Sequence, residues 1–384
     1  MIHNSTDLEK ARKLDSALYD LVRDVDVLEA IAPQNFQEQK KIFFESNFSI
    51  NPEFTYKKSP FNSFQKKRAL YNLPVEDILD EDLAFLYAEV IESYVDKLDQ
   101  SLSIGSPDFL YDSLRYFGEP NEKDLNNANF ILHLPDDLDE EFCDIETDLM
   151  NAQQIQKHMD EFAGAQGYEY KIKIESAMIA NAVVSGRTLK INQNAKIPET
   201  EVYALAHHEL GVHLVTTLNA AEQPLKIMSL GCPVNTKTQE GIAILCEYLA
   251  GFLTIPRLKV LALRVIAVDS MINEKDFKQT FLLLKETHGV EENLAYTITA
   301  RVYRGGGYTK DYLYLRGLRQ MLNAYEKHPN FQNLLIGKVS FEYIDVISRL
   351  VEKHYLNPPK FISPAIAAPG DIDAVKQFVA HSIK

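Results

Sequence analysis

The sequence predicts an α+β fold that is mostly helical, with a small antiparallel sheet placed directly before a buried helix. Apolar residues recur at helical spacing over most of the chain. One short run of strand-like segments, residues 168–192, interrupts this pattern. The stretch that soon follows, AHHELGVHLV at residues 206–215, sits among apolar neighbours on every side, which is typical of a buried helix.

The first part of the chain is predicted to be helical. Residues 5–31 form one helix by their apolar spacing, a turn follows at Pro33, and residues 75–103 form a long helix. Residues 118–149 are acidic and rich in turn formers, and we interpret them as a solvated linker. We therefore predict an N-terminal helical region over residues 1–120 and a core with C-terminal helices over residues 121–384.

The predicted core begins with the sheet. YEYKIKIES, MIANAVVS and RTLKINQN carry alternating or β-branched residues, and Ser185-Gly186 indicates a turn between the last two. Pro198 and the acidic residues that follow suit the first turn of the next helix. Residues 256–357 are predicted to be helical, with breaks at the glycines and prolines among them.

Composition limits the class of protein and of partner. The 384 residues carry a net charge of −15, which disfavours nucleic acid and anionic lipid as partners. No stretch approaches the ~18 apolar residues of a transmembrane helix. The polar N-terminal stretch gives no sign of a signal peptide, and three scattered cysteines, Cys143, Cys232 and Cys246, do not form a disulfide pattern. We expect a cytoplasmic protein that does not act at a membrane.

The pair His208 and His213 indicates a metal site. Burying two imidazoles and the Glu209 carboxylate costs several kcal/mol unless they are paired or ligated. Five residues advance an ideal α-helix by about 500°, which would point the two rings apart. A π-type turn contains an extra residue and would bring both rings to one side. We therefore predict a local widening of the helix around residues 209–213, where Gly211 leaves room for it.

A third ligand is expected from KTQEGIAILCEYLAG, residues 237–251, which is predicted to be an apolar helix with a capping pattern from Thr236 to Gln239. Glu240 is the first candidate, because the small residues beside it permit close packing. Glu247 lies two helical turns further on, and is either the alternative ligand or a hydrogen-bond partner of a histidine. Two imidazoles and one carboxylate with an open position are the ligands of a catalytic zinc. We expect one Zn²⁺ per chain.

Glu209 is predicted to be the general base, since it follows the first histidine directly, as in H-E-x-x-H enzymes. In that role it would take a proton from a water activated by zinc and pass it to the leaving amine. The preceding sheet suits a peptide substrate, because an edge strand can bind an extended peptide.

Three motifs in the same order also resemble a known family. TQEGIA resembles the T-Q-E-G-L-A signature of the QEGLA-motif proteins, whose bacterial members are named for modulation of flavohaemoglobin expression. HHELGVH is similar to their H-H-E-I-G-T-H segment, with Val212 in place of threonine, and RVYRGGGYTKDYLYLRGL resembles a third signature. The family includes the microtubule-associated tyrosine carboxypeptidases of animals. The resemblance implies a zincin-like zinc metallopeptidase with ligands His208, His213 and Glu240 and a catalytic Glu209.

The third signature supplies candidates for binding the substrate. A carboxypeptidase needs an oxyanion donor and a cation for the terminal carboxylate of its substrate. Arg304 and Tyr308 are the first candidates because they flank the glycines 305–307. The alternatives are Arg301, Tyr303 and Lys310, and each of these residues can also be explained as part of a helix end.

The sequence as a whole predicts a zinc-dependent metallopeptidase, most simply a carboxypeptidase that removes a C-terminal residue from a peptide or protein. Two other functions stay open at this point: a non-catalytic, metal-containing regulatory protein, and a different metal-dependent amide hydrolase. Glu209 favours an enzyme, because a purely structural zinc site needs no base. Tubulin tails are acidic and this chain is itself acidic, so tubulin is not assigned as the substrate.

Overall fold

A computed structural model describes residues 2–135, 138, 149–176 and 178–384, and the side chains from residue 8 onward. The α+β, mostly helical fold class is confirmed. The described chain divides into two compact units, one of residues 1–132 and 259–315, the other of residues 133–258 and 316–384. The predicted region 1–120 falls in the first unit, and the predicted core 121–384 contributes to both. Among the described helices, none is long and apolar enough to cross a membrane.

The first unit is built of helices. Helix Ile2–Val22 ends earlier than predicted, because Asp26 caps a separate short helix, Val27–Ala30, by accepting from the Glu29 N–H at 3.0 Å. The predicted helix 75–103 begins at Glu81, where Asp80 accepts from the Leu83 N–H. The other helices of this unit are Phe36–Glu45, Ser63–Tyr71, Asp108–Phe117, Glu122–Leu132, Phe277–Leu282 and Glu292–Tyr303, with a π-helix at Leu283–Thr287.

The predicted linker 118–149 is wrong in its first part. Residues 122–132 form a helix that buries Ile131 and Ala128, because the apolar positions of this acidic segment recur at helical spacing. Most of residues 136–148 lie outside the described residues, and so does Cys143, one of the three scattered cysteines. Of the described cysteines, Cys232 and Cys246 are both buried, and neither forms a disulfide bond.

The sheet of the second unit has three strands: β2 (Lys171–Glu175), β3 (Ala182–Ser185) and β4 (Thr188–Asn192), in the order β2-β4-β3. The predicted antiparallel pairing is confirmed for β3 and β4, which are joined by a tight turn at Gly186 (φ +57°). The pairing of β2 with β4 is parallel. The chain crosses to the far edge before it returns, so β4 occupies the centre. Two short strands, β1 (Met150–Asn151) and β5 (Lys196–Ile197), pair separately.

Helices surround this sheet. Ala152–Gln166, a helix that the sequence analysis did not assign, begins with a capping box between Asn151 and Gln154. Leu210, Leu214 and Val215 pack with the sheet residues Leu189 and Ile191 in one buried core. The remaining helices are Glu199–Leu205, Val215–Ala221, Ile227–Leu230, Thr236–Leu249, Ile344–Glu352, Pro364–Ala367 and Ala374–Ser382; Ile255–Glu274 and Leu313–Lys327 contribute residues to both units.

The helix Thr236–Leu249, called here the Glu240 helix, packs through glycine. A Cβ on Gly241 would lie 2.5 Å from the carbonyl carbon of Gly317, and a Cβ on Gly317 would overlap the carbonyl oxygen of Lys237. The predicted capping pattern from Thr236 is wrong: the N-cap is Asn235, and Thr236 is the first helical residue. Glycine at both positions therefore permits backbone contact that any side chain would prevent.

We predict that Gly317→Ala lowers the free energy of unfolding by about 1–3 kcal/mol, the usual cost of overpacking a core. Gly164→Ala is the matched control, because nothing lies within 4 Å of a Cβ added at that helical glycine. It is expected to be neutral or to stabilise by up to about 1 kcal/mol. Urea denaturation of both variants measures the difference, and equal effects would contradict the proposed contact.

Candidate metal centre

The two histidines lie on a π-helix, Ala206–Leu214, which is continuous with the α-helical segments before and after it. The predicted widening of the helix is confirmed, and it extends beyond residues 209–213. The rings of His208 and His213 lie with centroids 5.0 Å apart and planes at 73°. The wider turn therefore brings both side chains to the same side of the helix, although five residues separate them.

Glu240 meets both rings. Its Oε2 lies 3.4 Å from His208 Nε2 and 3.6 Å from His213 Nε2. One potential ligand atom from each of the three residues lies within 4.8 Å of the other two. The His208 side chain is 7% exposed and that of His213 is 21% exposed, so one ligand is enclosed while the other faces a more open side. These three residues form a group that could bind a metal ion.

The spacing of the donor atoms fits a small cation. Ligands bound tetrahedrally to zinc at about 2.0–2.1 Å stand about 3.3 Å from one another. The two nitrogen–oxygen separations to Glu240, 3.4 and 3.6 Å, are close to that value and are long for hydrogen bonds. Two imidazoles and a carboxylate are also donors that zinc accepts readily. The residues present therefore fit a catalytic type of site.

Glu247 contacts Nδ1 of His208, the ring nitrogen that faces away from Glu240. Its Oε1 lies 2.7 Å from His208 Nδ1, and it also accepts from Arg257 Nη2 at 3.1 Å. Burial lowers the pKa of His208, but the carboxylates of Glu240 and Glu247 outweigh that effect and raise it to about 9. Burial raises the pKa of Glu247, yet Arg257 and His208 together lower it to about 2. The centre is therefore rich in buried negative charge, which favours a cation.

Glu209 points to the sheet. Its Oε2 accepts a hydrogen bond from the Val184 N–H at 2.7 Å, and the residue is only 6% exposed. Val184 lies on β3, an edge strand. The bond from Asn192 N–H to Asn181 O shows that the odd-numbered residues of this strand form the hydrogen bonds with β4. By the alternation of antiparallel pairs, the Val184 N–H faces away from β4. In the described part of the chain, Oε1 of Glu209 accepts no hydrogen bond.

Arg304 and Tyr308 belong to the first unit, where both are buried. The Arg304 guanidinium lies 5.1 Å from the centre of the Tyr308 ring, and its Nε has no hydrogen-bond partner among the described residues. The three other candidates from this signature are engaged with neighbours in the same unit: Arg301 with Asp311, Lys310 with Tyr314 and Tyr303 with Thr280.

His207, the residue before the first histidine of the pair, packs among aromatic rings. Its imidazole contacts Phe162 edge-on, with centroids 5.0 Å apart, and stacks on Phe252. Burial and the neighbouring His158 lower the pKa of His207 to about 4, so its ring is neutral near pH 7. His207 thus belongs to the packing between elements and not to the group of three potential ligands.

Sequence reasoning missed two groups at this centre, the Arg257 side chain and the Val184 backbone N–H. Arg257 follows Glu247 by ten residues, beyond a turn, and no helical spacing connects the two. The Val184 donor is a backbone group, so the residue type at position 184 carries no signal for it. Both contacts arise from the way the chain folds back on itself.

We predict that zinc stabilises the protein through His208, His213 and Glu240. A ligand present at a hundred times its Kd adds about 2.7 kcal/mol to the free energy of unfolding. Thermal denaturation with and without zinc chloride should show a higher Tm for the wild type and no shift for Glu240→Ala. Glu222→Ala, at an exposed ion pair with Lys360, is the control that should keep the shift. If Glu240→Ala kept it too, the third ligand would be reassigned to Glu247.

The chain matches a known protein family over most of its length. The family model described as microtubule-associated tyrosine carboxypeptidase matches residues 41–384. A search of curated protein sequences gives no match. A solved structure, the putative lipoprotein from Colwellia psychrerythraea, is similar at 15% identity and a TM-score of 0.48, over 78% of this chain and 68% of that one. Since the family model covers nearly the whole sequence, the chain belongs to the microtubule-associated tyrosine carboxypeptidase family, a family of peptidases.

Proposed function

We propose that the protein is a zinc-dependent metallopeptidase that removes a C-terminal residue from a peptide or protein. The observation that carries the proposal is the convergence of His208, His213 and Glu240 on a common point, with the Glu209 carboxylate next to the first histidine in sequence. Membership of a carboxypeptidase family supports the reaction class. The described cysteines Cys232 and Cys246 form no disulfide bond, which supports a reducing compartment, and we propose the cytoplasm.

Zinc is the metal we propose, one ion per chain, held by the two Nε2 atoms and the Glu240 carboxylate. When bound in such a site, zinc acts as a Lewis acid that polarises a carbonyl and lowers the pKa of a coordinated water towards 7. The donor set supports zinc, because hard oxygen-preferring cations seldom take two imidazoles.

Glu209 is proposed as the general base. Its Oε2 is held by the Val184 N–H, which fixes the carboxylate, while its Oε1 accepts no hydrogen bond from a described residue. A carboxylate with one oxygen anchored and the other available can take a proton from the attacking water. It can then deliver that proton to the nitrogen of the leaving amino acid, so that the peptide C–N bond breaks.

Arg304 is proposed as the group that receives the terminal carboxylate of the substrate, with Tyr308 as a hydrogen-bond donor to the carbonyl oxygen. Arg304 is 8% exposed and forms no ion pair within the described chain, an unusual state for a buried cation. Burial raises the pKa of Tyr308 to about 12, so its hydroxyl keeps the proton that it would donate. These features support Arg304 over Arg301 and Lys310, whose charged groups already have partners in the same unit.

We predict that Glu209→Gln keeps the metal and loses hydrolysis. General-base catalysis contributes about 10²–10⁴ in rate, so kcat should fall by that factor. The test is zinc content by elemental analysis together with cleavage of a peptide library, comparing this variant with wild type. If the wild type bound zinc but was as inactive as Glu209→Gln, the result would favour a non-catalytic metal protein. Release of internal fragments, or cleavage of small amides alone, would favour another hydrolase.

We predict that Arg304→Met lowers kcat/KM for peptides with a free C-terminus. A charged hydrogen bond contributes about 1.5–3 kcal/mol, and each 1.4 kcal/mol corresponds to tenfold. The loss should be about 10- to 100-fold, and the preference for free over amidated C-termini should shrink. Arg115→Met, at a surface ion pair with Asp96, is the matched control and should leave both quantities unchanged. An unaltered preference in Arg304→Met would exclude Arg304 from this role.

A further inference from the structure

A partly buried ion pair lies on the Nδ1 side of the His208 ring. Arg257 Nε donates to Glu247 Oε2 at 3.2 Å, and Arg257 Nη2 donates to Glu247 Oε1 at 3.1 Å, so the guanidinium contacts both oxygens. The Glu247 side chain is 2% exposed and that of Arg257 is 28% exposed. The oxygen that accepts from Nη2 is the one that lies 2.7 Å from His208 Nδ1. Three side chains are thus connected in a line that ends on a predicted metal ligand.

The Glu240 helix places two carboxylates on one imidazole. Glu240 and Glu247 are seven residues apart, and seven residues advance an α-helix by about 700°, which returns almost to the same face. Glu240 faces Nε2 of His208 at 3.4 Å, and Glu247 faces Nδ1 at 2.7 Å. The contact with Glu247 is a short hydrogen bond, whereas the separation from Glu240 is long for one. The two acids therefore differ in what they do to the ring.

The backbone after the Glu240 helix brings Arg257 to this point. The carbonyl oxygen of Glu247 accepts from the N–H groups of Phe252 and Leu253, at 2.9 and 3.0 Å. Gly251 adopts a positive φ of +83° in that turn, a conformation that favours glycine. Thr254 Oγ1 then accepts from the Arg257 N–H at 3.2 Å as the next helix begins. The turn is thus closed on Glu247 itself, which limits how far Arg257 can move.

We propose that Arg257 and Glu247 are positioning residues for the metal centre: Arg257 fixes the Glu247 carboxylate, and Glu247 accepts the Nδ1–H of His208, so that Nε2 presents its lone pair to the metal. The inference rests on the proposed function, because it assigns a role in metal binding. A bound metal requires one unprotonated ring nitrogen, and the partner of the other nitrogen decides which one that is. Arg257 does not touch the metal in this account, and it acts only through Glu247.

The test uses the full-length chain and measures the Kd for zinc by competition with a chelating dye. The variants are Glu247→Gln, Arg257→Met, Arg257→Lys and the double variant Glu247→Gln/Arg257→Met. Thr238→Val is the matched control: it lies nine residues from Glu247, on the opposite face of the same helix, and its buried hydroxyl accepts from the Phe341 N–H. Thr238→Val should lower the Tm and leave the Kd for zinc unchanged.

We expect Glu247→Gln to weaken zinc binding by about 10- to 100-fold, the usual effect of removing such a partner. Arg257→Met should weaken it as well, and the double variant should match Glu247→Gln alone, since Arg257 acts through that carboxylate. Arg257→Lys keeps the charge but loses the two-point contact, and an intermediate Kd is expected. An unchanged Kd in Arg257→Met, or additive losses in the double variant, would overturn the proposal.

A second measurement separates this inference from the proposed function. NMR of protein labelled with ¹⁵N-histidine should detect the His208 Nδ1–H as a slowly exchanging downfield resonance, with or without zinc. It should move upfield in Glu247→Gln and exchange faster in Arg257→Met. If wild type bound no zinc, the proposed function would fail while this resonance still tested the contact. A resonance that stays the same in both variants would end the positioning proposal, whatever the protein does with zinc.

Discussion

The geometry of the whole centre depends on the extra residue in the turn between His208 and His213. In a regular α-helix the two rings would diverge, and Glu240 could face only one of them. A π-helix is rare and occurs mostly as a single-turn bulge inside an α-helix. Here Leu210 and Leu214 are fully buried in the core with the sheet, so the burial of apolar surface stabilises the wide turn. Gly211 sits within it, and a Cβ there would come within 3.2 Å of Ser363 Oγ.

A second constraint acts on the Glu240 helix, which has to approach the π-helix with two carboxylates on one face. Eleven of its residues are buried, so its position is set by packing on several sides at once. The backbone contact between Gly241 and Gly317 fixes one of those sides. Charged groups alone would not hold such an arrangement, because buried carboxylates repel one another unless a cation lies between them. The apolar packing holds the acids in place, and the Arg257 guanidinium offsets the charge of Glu247.

Local sequence signals predicted much of this, since they reflect properties of single elements. The histidine spacing predicted the wide turn, and the apolar context predicted its burial. The sheet order β2-β4-β3 was not predictable, because residues 168–192 fit a meander equally well and only packing decides that β4 is central. The sequence did not predict that the first helix ends before Asp26. The Asp26 side chain accepts from a backbone N–H and so starts a new helix, and the spacing of apolar residues carries no information about such a cap. Arg257 and Val184 reach the centre through tertiary contacts that no spacing rule describes.

The hydrogen bond from β3 to Glu209 has a consequence for how this strand responds to mutagenesis. Every residue type except proline brings the same amide to position 184, so alanine scanning across Ala182–Ser185 would pass over the contact and leave the acid tethered. Only proline removes this N–H donor. A sheet tolerates proline on an edge strand at a position whose N–H does not pair with the neighbouring strand, and Val184 is such a position. The position of the Glu209 carboxylate thus depends on the path of the backbone at Val184 and not on the type of side chain there.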